Sequence, residues 1–533
     1  MNRLRLFTSL LCLSLASLAA AADKPNIIFI LCDDLGYGDV KCLNPEGKIA
    51  TPNFDRLAKE GMIFTDAHSG SSVCTPTRYG VMTGRYAWRS KLQSGVLGGL
   101  SPRLIEQGRL TTPAMLKQQG YSTHCVGKWH LGMDWVRTGE VEELSIEKAE
   151  HVKNVDYTKP ITNGPTSVGF DTYFGISASL DMVPYCFIEN DHVTVNPTEM
   201  MKLAMNKGGP GGYTREGPGA PGFRGEDVLP TFTREAKKVI EAKAKAKAPF
   251  FLYLPLNSPH TPILPSEKWQ GKSGISLYAD FVMETDDALG QIMRVTEETG
   301  IAKDTLIIIT SDNGCSPSAD YPKLLAAGHN PSYNMRGHKA DIFDGGHRVP
   351  FIVRWPAKVK AGQTSSQLVC LTDFMATAAE VAGAKLPENA AEDSFSILPA
   401  LLGESGKPVR QSVIHHSING SFALREGDWK LELCAGSGGW SDPRPGSPGE
   451  KGLPDTQLYN LRADIAEKDN LQSSEPEVVR KMTAALEKIV SDGRSTPGAP
   501  QQNAVPVVLR KPTPAAAAKG KGKGKGKAKA AAN

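Results

Sequence analysis

Four short apolar runs in the sequence are each followed at once by side chains that can do chemistry. Two of the runs are followed by oxygen donors, and the other two by basic nitrogen groups. In chain order, these residues are Asp33 and Asp34, Lys128 and His130, His260, and Asp312 and Asn313. Ligands of open α/β sheets bind outside the carboxyl ends of the strands. Four such groups at equivalent positions therefore predict one common site.

The four oxygen donors favour a hard metal ion. Asp33, Asp34, Asp312 and Asn313 offer the carboxylate and amide oxygens that Ca²⁺ or Mg²⁺ prefers, whereas zinc would want His or Cys. An Asp pair after a strand can also simply form a turn or cap a helix, and that is the ordinary interpretation of either pair alone. With both pairs present, metal binding is the better interpretation.

The basic side chains favour an anionic substrate at that metal. Lys128, His130 and His260, together with Lys339 in the segment Arg336 to Lys339, would supply positive charge and proton transfer. This combination fits a tetrahedral anion bound beside a cation.

A further motif runs from Ser72 to Arg78 and closes with Met82-Thr83-Gly84. It contains Cys74, whose thiol is a poor match to a hard metal and to Asp and Asn donors. The alternative interpretation is a structural cysteine before a helix that Pro76 opens.

The elements that must position these residues follow an α/β pattern. Apolar runs predict buried strands at 26–32, 122–126, 250–254, 306–310 and 351–355. Helical segments at 54–60, 114–119 and 277–299 lie between them, and each stops at a glycine. Strands separated by helices predict a mostly parallel, doubly wound sheet. The Gly/Pro-rich stretch 207–225 is predicted to be a long loop.

The pattern changes after about Gly403. Short strands at 412–415, 422–425 and 429–433 and a helix at 475–490 predict a smaller C-terminal α+β subdomain. We therefore divide the chain into a catalytic domain, 23–403, a C-terminal subdomain, 404–494, and a tail, 495–533. The tail is rich in Pro and Ala and ends in alternating Lys-Gly, a composition typical of disorder.

The first 22 residues are predicted to be a signal peptide. Arg3 and Arg5 form a charged region, Leu6 to Leu18 is a short apolar stretch, and small residues follow. The apolar stretch is short for a membrane span, although an uncleaved anchor is the alternative. We expect the mature chain to be secreted or periplasmic, with no stable membrane span.

Composition excludes several classes of protein. The hydrophobic fraction is 40% and the charged fraction 22%, which is ordinary globular usage and unlike a disordered chain, a collagen or a coiled coil. The formal net charge of +4 includes six tail lysines between 519 and 529 and two leader arginines, so the remainder carries −4. Overall basicity is thus no evidence of nucleic-acid binding, and we expect none.

Two of these stretches resemble the signatures of the formylglycine-dependent (type I) sulfatases. S-V-C-T-P-T-R-Y-G-V-M-T-G, residues 72–84, looks like the first, and G-Y-S-T-H-C-V-G-K-W-H, residues 120–130, looks like the second. The likeness runs from about Asn26 to Leu471 and includes segments 169–175, 344–350 and 427–430. It implies the alkaline-phosphatase-like fold, in which helices sandwich a mostly parallel central sheet and a smaller C-terminal sheet is attached.

The resemblance also implies roles for single residues. Cys74 matches the cysteine that a formylglycine-generating or equivalent maturation enzyme oxidises, and whose oxygen faces one Ca²⁺; Mg²⁺ is the less favoured ion. Ser179 is matched more loosely to a polar family residue, and Ser177 competes for that position. The other matches are Asp33, Asp34, Asp312 and Asn313 to the metal ligands, Arg78 and Lys128 to the residues that hold the hydrated aldehyde, His130 to the base, and His260 and Lys339 to sulfate-binding residues.

The implied function is hydrolysis of a sulfate ester, on a sulfated carbohydrate if the chain is exported. Two alternatives remain open from the sequence. One is a phosphonate monoester or phosphodiester hydrolase of the same fold. The other is a non-catalytic binder of sulfated glycans in which Cys74 is not oxidised.

Overall fold

The computed structural model describes residues 24–140, 153–206, 212–404 and 406–511. The predicted signal peptide, most of the first half of segment 207–225, and the Lys-Gly run lie outside the described residues. No helix among the described residues is long and apolar enough to cross a membrane.

A ten-stranded sheet lies at the centre of the larger domain, in the order β13-β2-β12-β11-β1-β10-β4-β5-β6-β7. Its strands are β1 (Asn26–Cys32), β2 (Met62–Phe64), β4 (Ser122–Lys128), β5 (Thr172–Ile176), β6 (Ile188–Glu189), β7 (His192–Val193), β10 (Phe250–Pro255), β11 (Thr305–Ser311), β12 (Phe351–Arg354) and β13 (Gln363–Ser365). The five central strands β11, β1, β10, β4 and β5 are parallel to one another. Two small two-stranded sheets pair β3 (Ala67–His68) with β14 (Val369–Cys370) and β8 (Glu199–Met201) with β9 (Gly217–Gly219).

Helices cover both faces of the sheet, as the unbroken apolar runs require. Side chains of β1 alternate between two cores: Ile27 and Phe29 pack into one, and Ile28 and Ile30 into the other. The helices are α1 (Pro52–Glu60), α2 (Cys74–Thr83), α3 (Thr112–Gln118), α4 (Val228–Ala246), α5 (Leu277–Glu298), α6 (Tyr321–Ala326), α7 (Asp344–His347), α8 (Phe374–Ala382) and α9 (Leu398–Leu401). Helices α2, α3 and α8 contribute to the first core, and α1, α4 and α5 to the second. The predicted α/β class with a mostly parallel sheet is confirmed. The last long apolar run, β12, is antiparallel to β11.

The C-terminal subdomain is a four-stranded antiparallel sheet with one helix. Its strands are β15 (Ser412–His416), β16 (Phe422–Glu426), β17 (Trp429–Glu432) and β18 (Gln457–Asn460), and its helix is α10 (Pro476–Ser491). Met482 and Leu486 of α10 pack on this sheet in a core that also receives Tyr86 and Trp88 from the larger domain. The two units are therefore joined by a shared apolar core.

Residues 495–511 depart from the prediction of disorder. They form no helix or strand, but they lie against the body of the protein through long-range hydrogen bonds. Arg85 donates to the Gln502 carbonyl at 2.8 Å, Arg89 donates to Asn503 at 2.9 Å, and Ala504 N donates to the Arg89 carbonyl at 2.7 Å. Buried arginines of the larger domain thus hold a segment whose composition offers no apolar pattern.

Candidate active site

The structure brings the predicted residues to one edge of the central sheet, where β1, β4, β10 and β11 end. The side chains are buried even though most carry charge. Exposure is 0% for Asp33, Asp34, Arg78, Lys128, His130, Asp312 and Asn313, 3% for Cys74 and Ser179, 5% for Lys339 and 6% for His260. Buried charges are stable only when paired or bound to an ion, so the arrangement of partners determines what the site can hold.

Three carboxylates at the strand ends each make a short contact with a different cationic side chain. Lys128 Nζ lies 2.5 Å from Asp33 Oδ2, and Lys339 Nζ lies 2.8 Å from Asp34. Arg78 holds the third carboxylate, Asp312, through Nε at 3.0 Å and Nη2 at 2.7 Å.

Two oxygens in this cluster lack a hydrogen-bond donor among the described residues, although Arg78 Nη2 lies 3.6 Å from one of them, Asp33 Oδ1. Asp33 Oδ1 and Asn313 Oδ1 are buried and lack a hydrogen-bond donor within the described part of the chain. Asn313 donates its amide to Asp34 Oδ1 at 2.7 Å, which leaves its carbonyl oxygen as the acceptor facing away from that bond. Buried acceptors without donors suit a cation. The residues therefore fit the oxygen-coordinated metal ion predicted from the sequence.

The pKa values of two of these carboxylates shift in opposite directions. Burial alone would raise the pKa of Asp33, but Lys128 and the other nearby cations hold it well below its usual range. Burial and the Asp33 carboxylate raise the pKa of Asp312 to about 7, against the opposing charge of Arg78. A bound divalent cation would favour the ionised form of both residues.

Cys74 is the first residue of α2, and Arg78 follows one turn later on the same helix. The four-residue spacing places both side chains on one face of the helix, which explains why the motif separates them by three residues. Burial raises the pKa of the Cys74 thiol to about 11, although Lys128 and Lys339 oppose the shift. The thiol is therefore neutral near pH 7, whereas thiol nucleophiles react as thiolates.

His130 presents one ring nitrogen to the site. Its Nε2 lies 2.7 Å from the Leu97 carbonyl, so this nitrogen carries the proton, and Nδ1 is buried with no partner among the described residues. Burial and the charges of Lys128 and Arg78 lower the pKa of His130 well below its usual range. The neutral ring thus offers Nδ1 as a proton acceptor.

His260 and Asn313 contact different oxygens of the Asp34 carboxylate, Oδ2 and Oδ1 respectively. Its Nδ1 contacts the carbonyl of Thr261, and its Nε2 lies 3.6 Å from Asp34 Oδ2. Nε2 is therefore the nitrogen available for proton transfer at the site.

Ser179 and Ser177 differ in what their polar atoms contact. The Ser177 carbonyl accepts a hydrogen bond from His130 N at 2.9 Å, so this residue positions the histidine through its backbone. The Ser179 hydroxyl is buried without a partner in the described ranges. The hydroxyl of Ser179 is therefore free to contact a substrate, and its role in substrate binding stays a prediction.

The sequence analysis missed a hydrogen-bond network behind Asp34. Tyr278 of α5 donates to Asp39 at 2.5 Å and lies 3.3 Å from the Asp34 carbonyl. His329 Nε2 lies 2.8 Å from the other oxygen of Asp39. Asp34 has a φ of 64°, a left-handed conformation that needs such support. Tyr278 and His329 each lie more than 200 positions from Asp39 in the chain, so no local sequence pattern could have indicated this network.

A second histidine cluster does not form a metal site in this geometry. His68, His347 and His415 are fully buried and close together. The rings of His347 and His415 stack at 3.6 Å with an angle of 8°, so their in-plane lone pairs cannot meet at one ion. Lys430 Nζ lies 3.2 Å from His347, and His68 bonds Asp66 at 2.8 Å. A hydrogen-bond chain accounts for these rings without a metal.

The family model described as Sulfatase matches residues 25–384. This match, together with the fold, defines the class of protein: a hydrolase of sulfuric esters with the alkaline-phosphatase-like fold. The chain belongs to the sulfatase family.

Several relatives share most of their length with this chain. It is 34% identical to the N-acetylgalactosamine-6-O-sulfatase of Bacteroides thetaiotaomicron, over 88% of this chain and 93% of that protein. It is 30% identical to arylsulfatase A of Homo sapiens, over 89% of each chain. A solved structure from work on the metabolism of multiple glycosaminoglycans by Bacteroides thetaiotaomicron superimposes with a TM-score of 0.74 and 33% identity, covering 88% of this chain and 99% of that one.

Proposed function

We propose that this chain hydrolyses a sulfate ester on a sulfated carbohydrate, using a formylglycine derived from Cys74 and one bound Ca²⁺. The observation that carries the proposal is the position of Cys74. It is buried at the start of α2 with Lys128, Lys339, Asp33 and Asp312 as its charged neighbours, and its thiol is held neutral. A neutral thiol beside oxygen ligands is poorly suited to act by itself, whereas an oxygen nucleophile derived from it would suit both the metal and an anionic substrate.

The metal would be held by Asp33, Asp34, Asp312 and Asn313. When bound, Ca²⁺ supplies positive charge that polarises oxygens of the nucleophile and the sulfate. The hydrated aldehyde supplies two hydroxyls on one carbon, one to attack sulfur and one whose deprotonation expels the sulfate. A serine would have only the first.

The chain's own residues then divide the proton transfers and the binding of charge. Lys128 and Lys339 place ammonium groups beside Asp33 and Asp34, where the sulfate oxygens would lie. The protonated ring of His260, whose positive charge Asp34 Oδ2 stabilises at 3.6 Å against the lowering of its pKa by burial and Lys339, donates the Nε2 proton to the departing alcohol oxygen as its bond to sulfur breaks. His130 Nδ1 accepts the proton of the second hydroxyl, and the hydrogen bond from Nε2 to Leu97 holds the ring in the required tautomer.

We expect the importance of His260 to depend on the leaving group. A sugar hydroxyl needs protonation as it leaves, whereas a nitrophenol departs readily as an anion. Loss of a general acid costs about 10²–10⁴ in rate where protonation is required. His260→Ala should therefore slow a sugar sulfate far more than a nitrophenyl sulfate in steady-state assays. Equal losses on both substrates would remove His260 from the acid role.

We expect His130→Ala to act after the alcohol has left. Because His130 accepts its proton in the second half of the reaction, the variant should slow both substrates to a similar final rate. Rapid mixing with an aryl sulfate should show a burst of released phenol, about one per active chain, before the slow phase. A burst with His260→Ala and none with His130→Ala would show that the two roles are reversed.

For the substrate, we propose a 6-sulfated N-acetylgalactosamine unit as the first to test. Support comes from the name of the relative that is 34% identical over 505 residues. A desulfation screen over defined sulfated oligosaccharides, separated by ring position, should show the highest kcat/KM for this unit. Preference for another position would reassign the substrate within the class. Faster hydrolysis of aryl phosphate than of aryl sulfate would favour the phosphoester alternative.

We also propose that residues 1–22 export the chain to a secreted or periplasmic location and that a formylglycine-generating enzyme matures Cys74. The charged and apolar pattern of the leader supports the first proposal. The sequence C-T-P-T-R at 74–78 supports the second. N-terminal sequencing of the exported protein tests the leader, and expression with and without the maturation enzyme tests the oxidation.

A further inference from the structure

A loop of the C-terminal subdomain is fixed against the segment that carries Lys339. The loop follows β17, and its backbone nitrogens at Trp440 and Ser441 donate to Asp341 Oδ1 at 2.8 and 3.0 Å. Ile342 N donates to the Ser437 carbonyl at 2.7 Å. A Cβ at Gly439 would lie 2.3 Å from the Ala340 carbonyl, so the two backbones are in direct contact. We call these backbone contacts of the loop with residues 340–342 the clamp. They fix the position of the loop without any contribution from the Trp440 side chain.

The clamp holds the Trp440 indole beside the candidate sulfate pocket. Lys339 Nζ lies 6.0 Å from the centroid of the ring, and the same ammonium lies 2.8 Å from Asp34 in the site. Trp440 is 38% exposed, while Lys339 is 5% exposed. Single exposed hydrophobic residues are common and carry no meaning alone. Here a partly exposed indole lies next to Lys339, which is proposed to bind the sulfate.

We propose that Trp440 is a substrate-binding residue that packs its indole against the sugar ring carrying the scissile sulfate. This inference rests on the proposed sulfatase function. A pyranose ring has an apolar face of C–H groups, and the face of an indole is apolar and electron-rich. Specific pockets combine such aromatic walls with a few polar groups that fix orientation. With the sulfate beside Lys339, the sugar ring attached to it would extend toward the exposed indole.

The inference assigns part of substrate recognition to the C-terminal subdomain. The larger domain supplies the metal ligands, Cys74, the histidines and Lys339. The loop after β17 supplies a wall that contacts the organic part of the substrate and not the sulfate. Trp440 should therefore affect the binding of the sugar while leaving the binding of free sulfate unchanged.

We test this with Trp440→Ala and Trp440→Phe in the matured full-length protein. Because the backbone donors to Asp341 remain, both variants should fold with an unchanged melting temperature. An aromatic contact corresponds to about a tenfold change in affinity. Trp440→Ala should raise KM for the sulfated monosaccharide about tenfold with kcat within about twofold, and Trp440→Phe should recover most of the loss. The inhibition constant of inorganic sulfate should be the same in all three proteins.

Trp269 gives a matched control, because it also lies beside a lysine, Lys268, at 5.0 Å. Trp269→Ala should leave KM unchanged. An unchanged KM in Trp440→Ala, or an equal rise in Trp269→Ala, would overturn the inference. So would a loss of sulfate inhibition in Trp440→Ala, because that would place the defect in the sulfate pocket. A wild-type protein that desulfates no sugar would instead contradict the proposed function.

Discussion

Cys74→Ala should abolish turnover of sulfate esters while leaving the fold intact. Loss of a nucleophile typically lowers kcat by about 10⁴–10⁶, and no other described residue at the site offers an oxidisable group in that position. The thiol and a methyl group are both small and apolar, and Cys74 is 3% exposed, so the melting temperature should change little. Steady-state assays with a sugar sulfate and an aryl sulfate, together with a thermal melt, check both parts. Activity within tenfold of the wild type would contradict a covalent role for residue 74.

Cys74→Ser is the matched control for this prediction. Its hydroxyl can accept the sulfate, but it has no second hydroxyl to expel it. We expect at most one turnover per chain and a stable gain in mass equal to one SO₃ group on the peptide that contains residue 74. Continued turnover by this variant would show that the diol chemistry is wrong.

Chelation should remove activity and lower the melting temperature, and Ca²⁺ should restore both. Without a metal ion, the carboxylates of Asp33, Asp34 and Asp312 share one edge of the sheet, and Asp33 Oδ1 and Asn313 Oδ1 have no hydrogen-bond donor among the described residues. A ligand at 100 times its dissociation constant stabilises the native state by about 2.7 kcal/mol. A thermal melt across a Ca²⁺ titration measures the gain, and Mg²⁺ should give less at equal concentration.

Asp312→Asn separates metal binding from general stabilisation by salts. It removes one of the charged ligands, so it should reduce the Ca²⁺-dependent rise in melting temperature. Asp66→Asn serves as the control, since Asp66 binds His68, Arg348 and Arg425 away from the strand ends. Full activity with no bound metal after exhaustive chelation would refute the assignment of these ligands.

The sequence predicts most of the site because strand ends are readable from local patterns. Asp33 and Asp312 lie 279 positions apart in the chain, yet the strands that they follow, β1 and β11, are neighbours in the sheet. The rule that ligands bind at the carboxyl ends of strands brings them together without knowledge of the pairing. The helix that carries Cys74 and Arg78 begins at Cys74, two residues before the start at Pro76 that the sequence indicated, so their shared helix face emerges only from the structure.

The positions of two other segments depend on long-range contacts that no local sequence pattern indicates. Trp440 lies in a Gly-, Ser- and Pro-rich segment, and its partner Asp341 is 99 positions away. Residues 495–511 have the composition of a disordered tail, but Arg85 and Arg89 bind the backbone at Gln502 and Ala504, and Val507 and Leu509 pack against the core of the C-terminal subdomain. In both cases long-range contacts fix the segment.

The most direct test of the central claim is the mass of the peptide that contains residue 74, measured with turnover on the same preparations. Oxidation of the cysteine to formylglycine exchanges one sulfur and two hydrogens for one oxygen, so the converted peptide is lighter. Preparations made with varied amounts of maturation enzyme should show kcat proportional to the converted fraction, reaching zero where only the thiol is present. Full turnover of a sulfate ester by protein whose Cys74 is entirely unmodified would contradict the account.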